Sequence, residues 1–100
     1  MTKWADWCIT AVRYDGDHTR IAAVELRPDR GDSIGIASMG TRQDVIDAIG
    51  TGTDVITIFL RDGKWWRGAE VEVIRVGEDK FLRTDRNQRR IDNLGELPEF

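Results

Sequence analysis

The stretch Val55–Thr84 constrains this chain more than any other. It opens with Val55-Ile56-Thr57-Ile58-Phe59-Leu60, the densest apolar run in the sequence. It crosses a polar turn carrying Trp65 and Trp66, then resumes as Val71-Glu72-Val73-Ile74-Arg75-Val76. Past Gly77-Glu78-Asp79-Lys80 it closes with Phe81-Leu82-Arg83-Thr84. Apolar runs of this length between turn residues predict three consecutive strands, the centre of a small sheet. In the first of them Val55, Thr57 and Phe59 alternate with Ile56, Ile58 and Leu60, so both faces are largely apolar. Such a strand lies centrally, or has its second face covered by something besides a helix.

The remaining segments supply partners for that centre. Trp7 to Tyr14 reads as a strand with Trp7, Ile9 and Ala11 on one face, and Ile21 to Leu26 as its antiparallel return after the Asp-Gly turn signal at Asp15-Gly16. Arg27 to Gly40 is broken by Pro28, Gly31, Gly35 and Gly40. It reads as a loop, long for a compact domain, with a short extra strand at Ile34 and Ile36. Long loops of this kind are often functional. Thr41 then caps the one predicted helix, with Asp44 at the capping-box position. Val45, Ala48 and Ile49 share a face of this helix, and Gly50 and Gly52 end it. A helix this short needs packing on the sheet to persist. From Asp85 the chain turns polar, and Ile91, Leu94, Leu97 and Phe100 anchor a tail across the domain.

The fold expected is therefore α+β: a single small antiparallel sheet of about five strands, one short helix on one face, and an extended C-terminal tail. Residues 1–100 read as a single domain with 85–100 as the tail. With one helix available, the loop, the tail or another subunit must cover the second sheet face.

Composition narrows the function classes. Forty per cent hydrophobic residues and four Trp argue for a folded globule rather than a disordered chain. A net charge of −3 disfavours a general nucleic-acid binder, whose affinity comes mainly from phosphate neutralisation. The start of the sequence does not read as a signal peptide, and no apolar run approaches the roughly 20 residues of a membrane-spanning helix. One cysteine, Cys8, cannot form an internal disulfide, which fits a reducing cytoplasm.

Catalytic chemistry finds little purchase. Cys8 and His18 are the only Cys and His, and a strand and a turn tip separate them. Asp15, Asp17 and His18 are too few and too exposed for a dedicated metal site. Ser33 and Ser38 lack a nucleophile-elbow frame. Gly50-Thr51-Gly52-Thr53 follows the helix, the wrong end for phosphate binding. Arg30-Gly31-Asp32, a tripeptide that some integrins read, is a polar turn here. No catalytic residue, metal or cofactor is expected.

Two features stand out. Arg61-Asp62-Gly63-Lys64-Trp65-Trp66-Arg67 carries adjacent Trp residues, which strand alternation places on opposite faces, beside an Arg. Trp and Arg dominate binding hot spots, stack on planar rings and grip phosphates. Lys80, Arg83, Arg86, Arg89 and Arg90 form a local positive patch with Asp85 as the only acid among residues 80–90.

The tail also carries a resemblance. Phe81-Leu82-Arg83-Thr84-Asp85 followed by Asp92-Asn93-Leu94-Gly95-Glu96-Leu97-Pro98 resembles the ending of small bacterial and phage proteins grouped as domain-of-unknown-function family 3892. Ile9 to Arg13 (Ile-Thr-Ala-Val-Arg) and the helix-plus-Gly segment Asp44 to Gly52 are similar to that family too. The resemblance implies no catalytic residue, and the Lys64-Trp65-Trp66-Arg67 turn is less typical of the pattern.

These readings converge on a non-enzymatic binding module, homo-oligomeric, for a small anionic planar ligand of nucleotide type. By class analogy the ligand is a phage or bacterial defence signal. Trp65, Trp66, Arg67, Arg83, Arg86, Arg89 and Arg90 are the candidate ligand-binding residues. The alternatives are a protein–protein interaction module whose Trp pair anchors a partner subunit, and a single-stranded nucleic-acid binder using the same stacking.

Overall fold

A computed structural model of the chain describes residues 4–16, 20–84, 92, 94, 95 and 97–100. In chain order the elements are β1 (Trp7–Tyr14), β2 (Ile21–Pro28), β3 (Ser38–Gly40), α1 (Arg42–Gly50), β4 (Val55–Arg61), β5 (Lys64–Glu70), β6 (Glu72–Val76) and β7 (Asp79–Arg83). Five strands form a sheet in the order β3-β2-β1-β4-β5, and β6 and β7 form a separate two-stranded ribbon. Among the described residues no helix is long and apolar enough to cross a membrane.

Four expectations need correction. The strands of Val55–Thr84 are not the centre of one sheet: β4 lies within the five-stranded sheet, whereas β6 and β7 pair with each other in the separate ribbon. The sheet is mixed rather than antiparallel, because β1 and β4 run parallel, with Trp7 opposite Val55 and Ile9 opposite Thr57. The connection from β2 back to β4 contains α1, and a long crossover of that kind permits a parallel pair that a tight turn forbids. The polar turn around Trp65 and Trp66 shrinks to Asp62-Gly63, and both Trp residues lie in β5. Asp62 (φ 54°) and Gly63 (φ 75°) are left-handed, as a two-residue hairpin turn of the primed type requires. Lastly, Ile34 makes only an isolated bridge to Asp29, and the extra strand falls at Ser38–Gly40 instead.

Helix α1 is capped as its sequence predicts. The Thr41 hydroxyl accepts from the Asp44 N–H at 3.0 Å, and the Asp44 carboxylate accepts from the Thr41 N–H at 2.9 Å. At the other end Gly52 (φ 91°) donates to the Ile49 carbonyl and Thr53 to the Ala48 carbonyl, which is the Schellman stop.

The main core lies on the helix side. Ile9, Val24 and Val55 from the sheet meet Val45 and Ile46 from α1, Leu82 from the ribbon, and Leu94 and Leu97 from the tail segment. The opposite face carries a smaller cluster of Ala5, Cys8, Ile56 and Ile58, flanked by Ile34 and Trp65. Thus the loop after β2 and the segment before β1 cover the second face of the apolar β4.

Strand β1 changes neighbours along its length. The β1–β2 register shifts between Ile9 and Ala11, and β1 pairs with β4 only over Trp7–Ile9. A bulge bends a strand and redirects its edge. Beyond it the freed edge is taken by the tail: Val12 donates to the Pro98 carbonyl at 2.9 Å and Phe100 donates to the Val12 carbonyl at 3.1 Å.

Candidate functional site: a cleft between two tryptophans

The side chains of β5 divide between the two sheet faces. Trp65 packs with the Cys8–Ile56–Ile58 cluster and is partly buried. Trp66 is half exposed on the other face, opposite Phe59 in the ladder, with its indole N–H donating to the Arg61 carbonyl at 3.4 Å. Arg67 is exposed on the Trp65 face.

Trp65 forms one wall of a cleft of about 510 Å³ whose other lining includes Trp4, Ile34, Asp32, Ser33 and Lys64. That volume lies in the range of small-molecule sites, which are apolar-walled with a few polar groups. Asp32 and Ser33 sit on the loop after β2, and Lys64 on β5. A shallower recess of about 340 Å³ shares Ser33 and Ile34 with the cleft and adds Arg27 and Arg30.

The buried carboxylate of Asp29 builds this arrangement. Its Oδ2 accepts from the Trp4 N–H at 2.7 Å and the Ala5 N–H at 3.4 Å, and its Oδ1 accepts from the Gly31 N–H at 2.9 Å. One side chain therefore ties the segment before β1 to the turn at Arg30–Ser33. Gly31 takes φ 86°, and Arg30 donates to the Ser33 carbonyl at 2.9 Å to close that turn. Asp29 also lines the cleft, with its carboxylate engaged by these backbone donors.

Arg27 supplies a cation. Its guanidinium carbon lies 5.3 Å from the Trp65 ring centroid, and its Nη1 donates to the Gly35 carbonyl at 3.1 Å. Its Nε is buried and has no hydrogen-bond partner among the described residues, with a Glu25 carboxylate oxygen 3.8 Å away. An arginine held over an indole suits planar anions.

Of the predicted positive patch, Arg83 does not join this site. Arg83 is 2% exposed on β7, across from Glu72 in the ribbon, and presents no charge to solvent. Arg86, Arg89 and Arg90 lie outside the described residues, as do Asp17 and His18. Sequence reasoning missed Trp4, Arg27, Arg30 and Lys64 as contributors. The usable signal was the length of the loop after β2.

Cys8 is not disposed to act as a nucleophile. Cys8 is fully buried, and burial together with the nearby Asp29 charge pushes its pKa up to about 11, so the thiol stays protonated at neutral pH. Burial likewise raises the Tyr14 pKa. Among the described residues no three His, Cys, Asp or Glu side chains converge on a metal position.

By fold and site this is a small α+β protein with a mixed sheet and an aromatic cleft at one sheet face. The family comparison agrees with the tail signature: the chain belongs to the DUF3892 family, described as protein of unknown function, whose model matches residues 8–98. No curated protein and no solved structure matches it.

Proposed function

We propose that this chain is a non-enzymatic binding module that holds a small planar anionic ligand of nucleotide type in the Trp4–Trp65 cleft. The observation that carries the reading is the Arg27 guanidinium against the Trp65 ring, at the wall of a cleft lined by a second indole. A base ring stacks on the indoles, and stacking of this kind is worth roughly 1–3 kcal/mol per base. Lys64 in the cleft and Arg30 in the adjoining recess are the cations for a phosphate. Asp32, exposed in the cleft lining, suits ribose hydroxyls, which carboxylates accept well. Relative to the sequence reading, the site keeps Trp65, leaves out the buried Arg83 and draws on Arg27, Arg30 and Lys64 as cations.

Thermal unfolding against a panel of nucleoside mono-, di- and cyclic phosphates tests this. A ligand at a hundredfold excess over its Kd stabilises the protein by about 2.7 kcal/mol, a clear rise in Tm. The same ligand gives no rise with Trp65→Ala or Arg27→Ala. A panel in which no nucleotide moves the wild-type Tm removes the reading.

A further inference from the structure

Strand β5 ends the sheet, and its outer side is exposed at Lys64, Trp66, Arg67, Ala69 and Glu70. The register with β4 fixes which of its backbone groups point outward. Arg61 and Lys64 flank the two-residue turn and form the hydrogen-bonded closing pair. Alternation then makes Leu60–Trp65 and Ile58–Arg67 the non-bonded pairs, so the N–H and C=O groups of Trp65 and Arg67 face away from β4. After Arg67 the pattern ends, because the register shifts and the Ala69 N–H turns inward to the Thr57 hydroxyl at 3.0 Å. Among the described residues the exposed edge therefore offers one short set of free groups, on Trp65 and Arg67, with Trp66 between them.

That set is self-complementary. In a symmetric antiparallel pair a residue must oppose its own copy at the axis. With Trp66 at the axis, Trp65 of each chain opposes Arg67 of the other, and each such pair exchanges two backbone bonds. An axis at Arg67 or Gly68 instead calls on Ala69, whose N–H is already used, and an axis at Lys64 or Trp65 runs into the turn. The side chains fit the same register. The two exposed Trp66 rings become cross-strand neighbours on one face, while on the other Arg67 meets the Trp65 indole.

We propose that two copies of this chain join their β5 edges antiparallel about Trp66, and that each lends Arg67 to the other's Trp4–Trp65 cleft. The pairing stands on the edge geometry alone; the lending rests on the cleft's being the ligand site. It completes the site with a cation on the side of Trp65 away from the loop after β2. The bulge at Gly68 and Ala69 and the turn at Asp62-Gly63 keep the pairing short, so the edge makes dimers and not a growing sheet.

Sedimentation equilibrium without ligand reads the pairing. The wild-type chain moves from monomer toward dimer across the micromolar range, whereas Arg67→Pro, which removes an outward N–H and no β4 bond, stays monomeric with an unchanged circular dichroism spectrum. A second, register-specific measurement covers the case in which the proline variant does not fold. Non-bonded partners lie about 4.5 Å apart at Cα, within disulfide reach. Mild oxidation thus links Trp66→Cys into dimers and leaves Lys64→Cys unlinked. A monomeric wild type, or a Trp66→Cys variant that does not link, overturns the proposal. Adenosine monophosphate binding is then compared in wild type and Arg67→Ala, with a loss of roughly ten-fold expected from one charge-assisted contact. Unchanged affinity overturns the lending of Arg67, while a dimer that binds no nucleotide overturns only the ligand reading.

Discussion

Asp92 accepts two hydrogen bonds from Arg42, at 2.7 Å from Nε and 3.3 Å from Nη2, with its carboxylate fully out of solvent. The same carboxylate also accepts from the Ile21 N–H at 2.8 Å and the Leu82 N–H at 2.9 Å. Arg42 continues the network by donating to the Lys80 carbonyl, and the Phe81 ring lies 6.0 Å from its guanidinium carbon. One tail residue thus ties β2, α1 and the β6–β7 ribbon together. Its removal strands a partly buried cation and two backbone donors. Asp92→Ala is expected to cost about 3–5 kcal/mol in urea unfolding, the range for breaking one partner of a buried pair. Arg42→Ala costs less, because Asp92 keeps its backbone donors and Arg42 is partly exposed. A double-mutant cycle separates the pair from the hub.

Asp29→Ala should loosen Trp4 without touching the main core. The substitution leaves the Trp4 and Gly31 amides without their acceptor, a loss of about 1–3 kcal/mol if they remain shielded from water. Amide exchange at Trp4, Ala5 and Gly31 accelerates, while Val24 and Leu82 keep their protection. Equal acceleration at all five positions would mean that Asp29 supports the whole fold instead of the cleft.

Trp65→Ala should destabilise more than Trp66→Ala although the two are neighbours. Trp65 packs on Cys8, Ile56 and Ile58, whereas Trp66 is 50% exposed. Large-to-small changes at packed aromatic positions reach about 3–5 kcal/mol, and partial burial places Trp65 at or below the low end. Trp66→Ala stays within about 1 kcal/mol for the monomer, measured at dilute concentration.

Gly68→Ala should perturb the β4–β5 pairing. A methyl group there meets the Thr57 hydroxyl and lies 2.7 Å from the Thr57 carbonyl oxygen, and backbone cannot swing aside as a side-chain end can. Forcing an extra methyl into a filled position costs roughly 1–3 kcal/mol. Chemical denaturation reads the loss, and amide exchange at Ala69 reports the broken bond to Thr57.

Cys8 predicts a specific alkaline instability. Its folded pKa of about 11 lies above the unbound thiol value of 9.0. Below about pH 9 both states keep the proton and the stability is intact. Between about 9 and 11 the unfolded state binds fewer protons, so stability falls as pH rises, by up to about 1.4 kcal/mol per pH unit. Cys8→Ala lacks this component. The difference between the two unfolding curves should therefore shrink as pH rises through that window.

Much of the fold was legible where the signal is local. The Thr41–Asp44 capping box, the β1 span and the two apolar faces of β4 follow from neighbouring residues alone. β5 was not, because Lys-Trp-Trp-Arg-Gly-Ala-Glu has no period-two apolar pattern. Its strand character comes from pairing with β4 across the Asp62-Gly63 turn. The parallel β1–β4 contact is non-local and leaves no mark in either strand. The candidate site was half legible. Trp65 was singled out by its composition, but Trp4 reaches it only through the Asp29 carboxylate, a contact spanning 25 residues. Arg83 reads as a surface charge because Arg usually is one. Its burial on β7 comes from tertiary packing that no local pattern announces.

The parallel bridge between Val12 and Glu99 also sets an order of events in time. Strand β1 is synthesised early, yet the neighbour for its far half is among the residues made late. Until residues 92–100 emerge from the ribosome, Val12 keeps an open backbone edge and Ile21 and Leu82 lack the carboxylate that receives their amides. Sheet completion therefore waits on contacts distant in sequence, the kind that slows folding. The unfinished intermediate carries an unpaired strand edge of the sort chaperones shield.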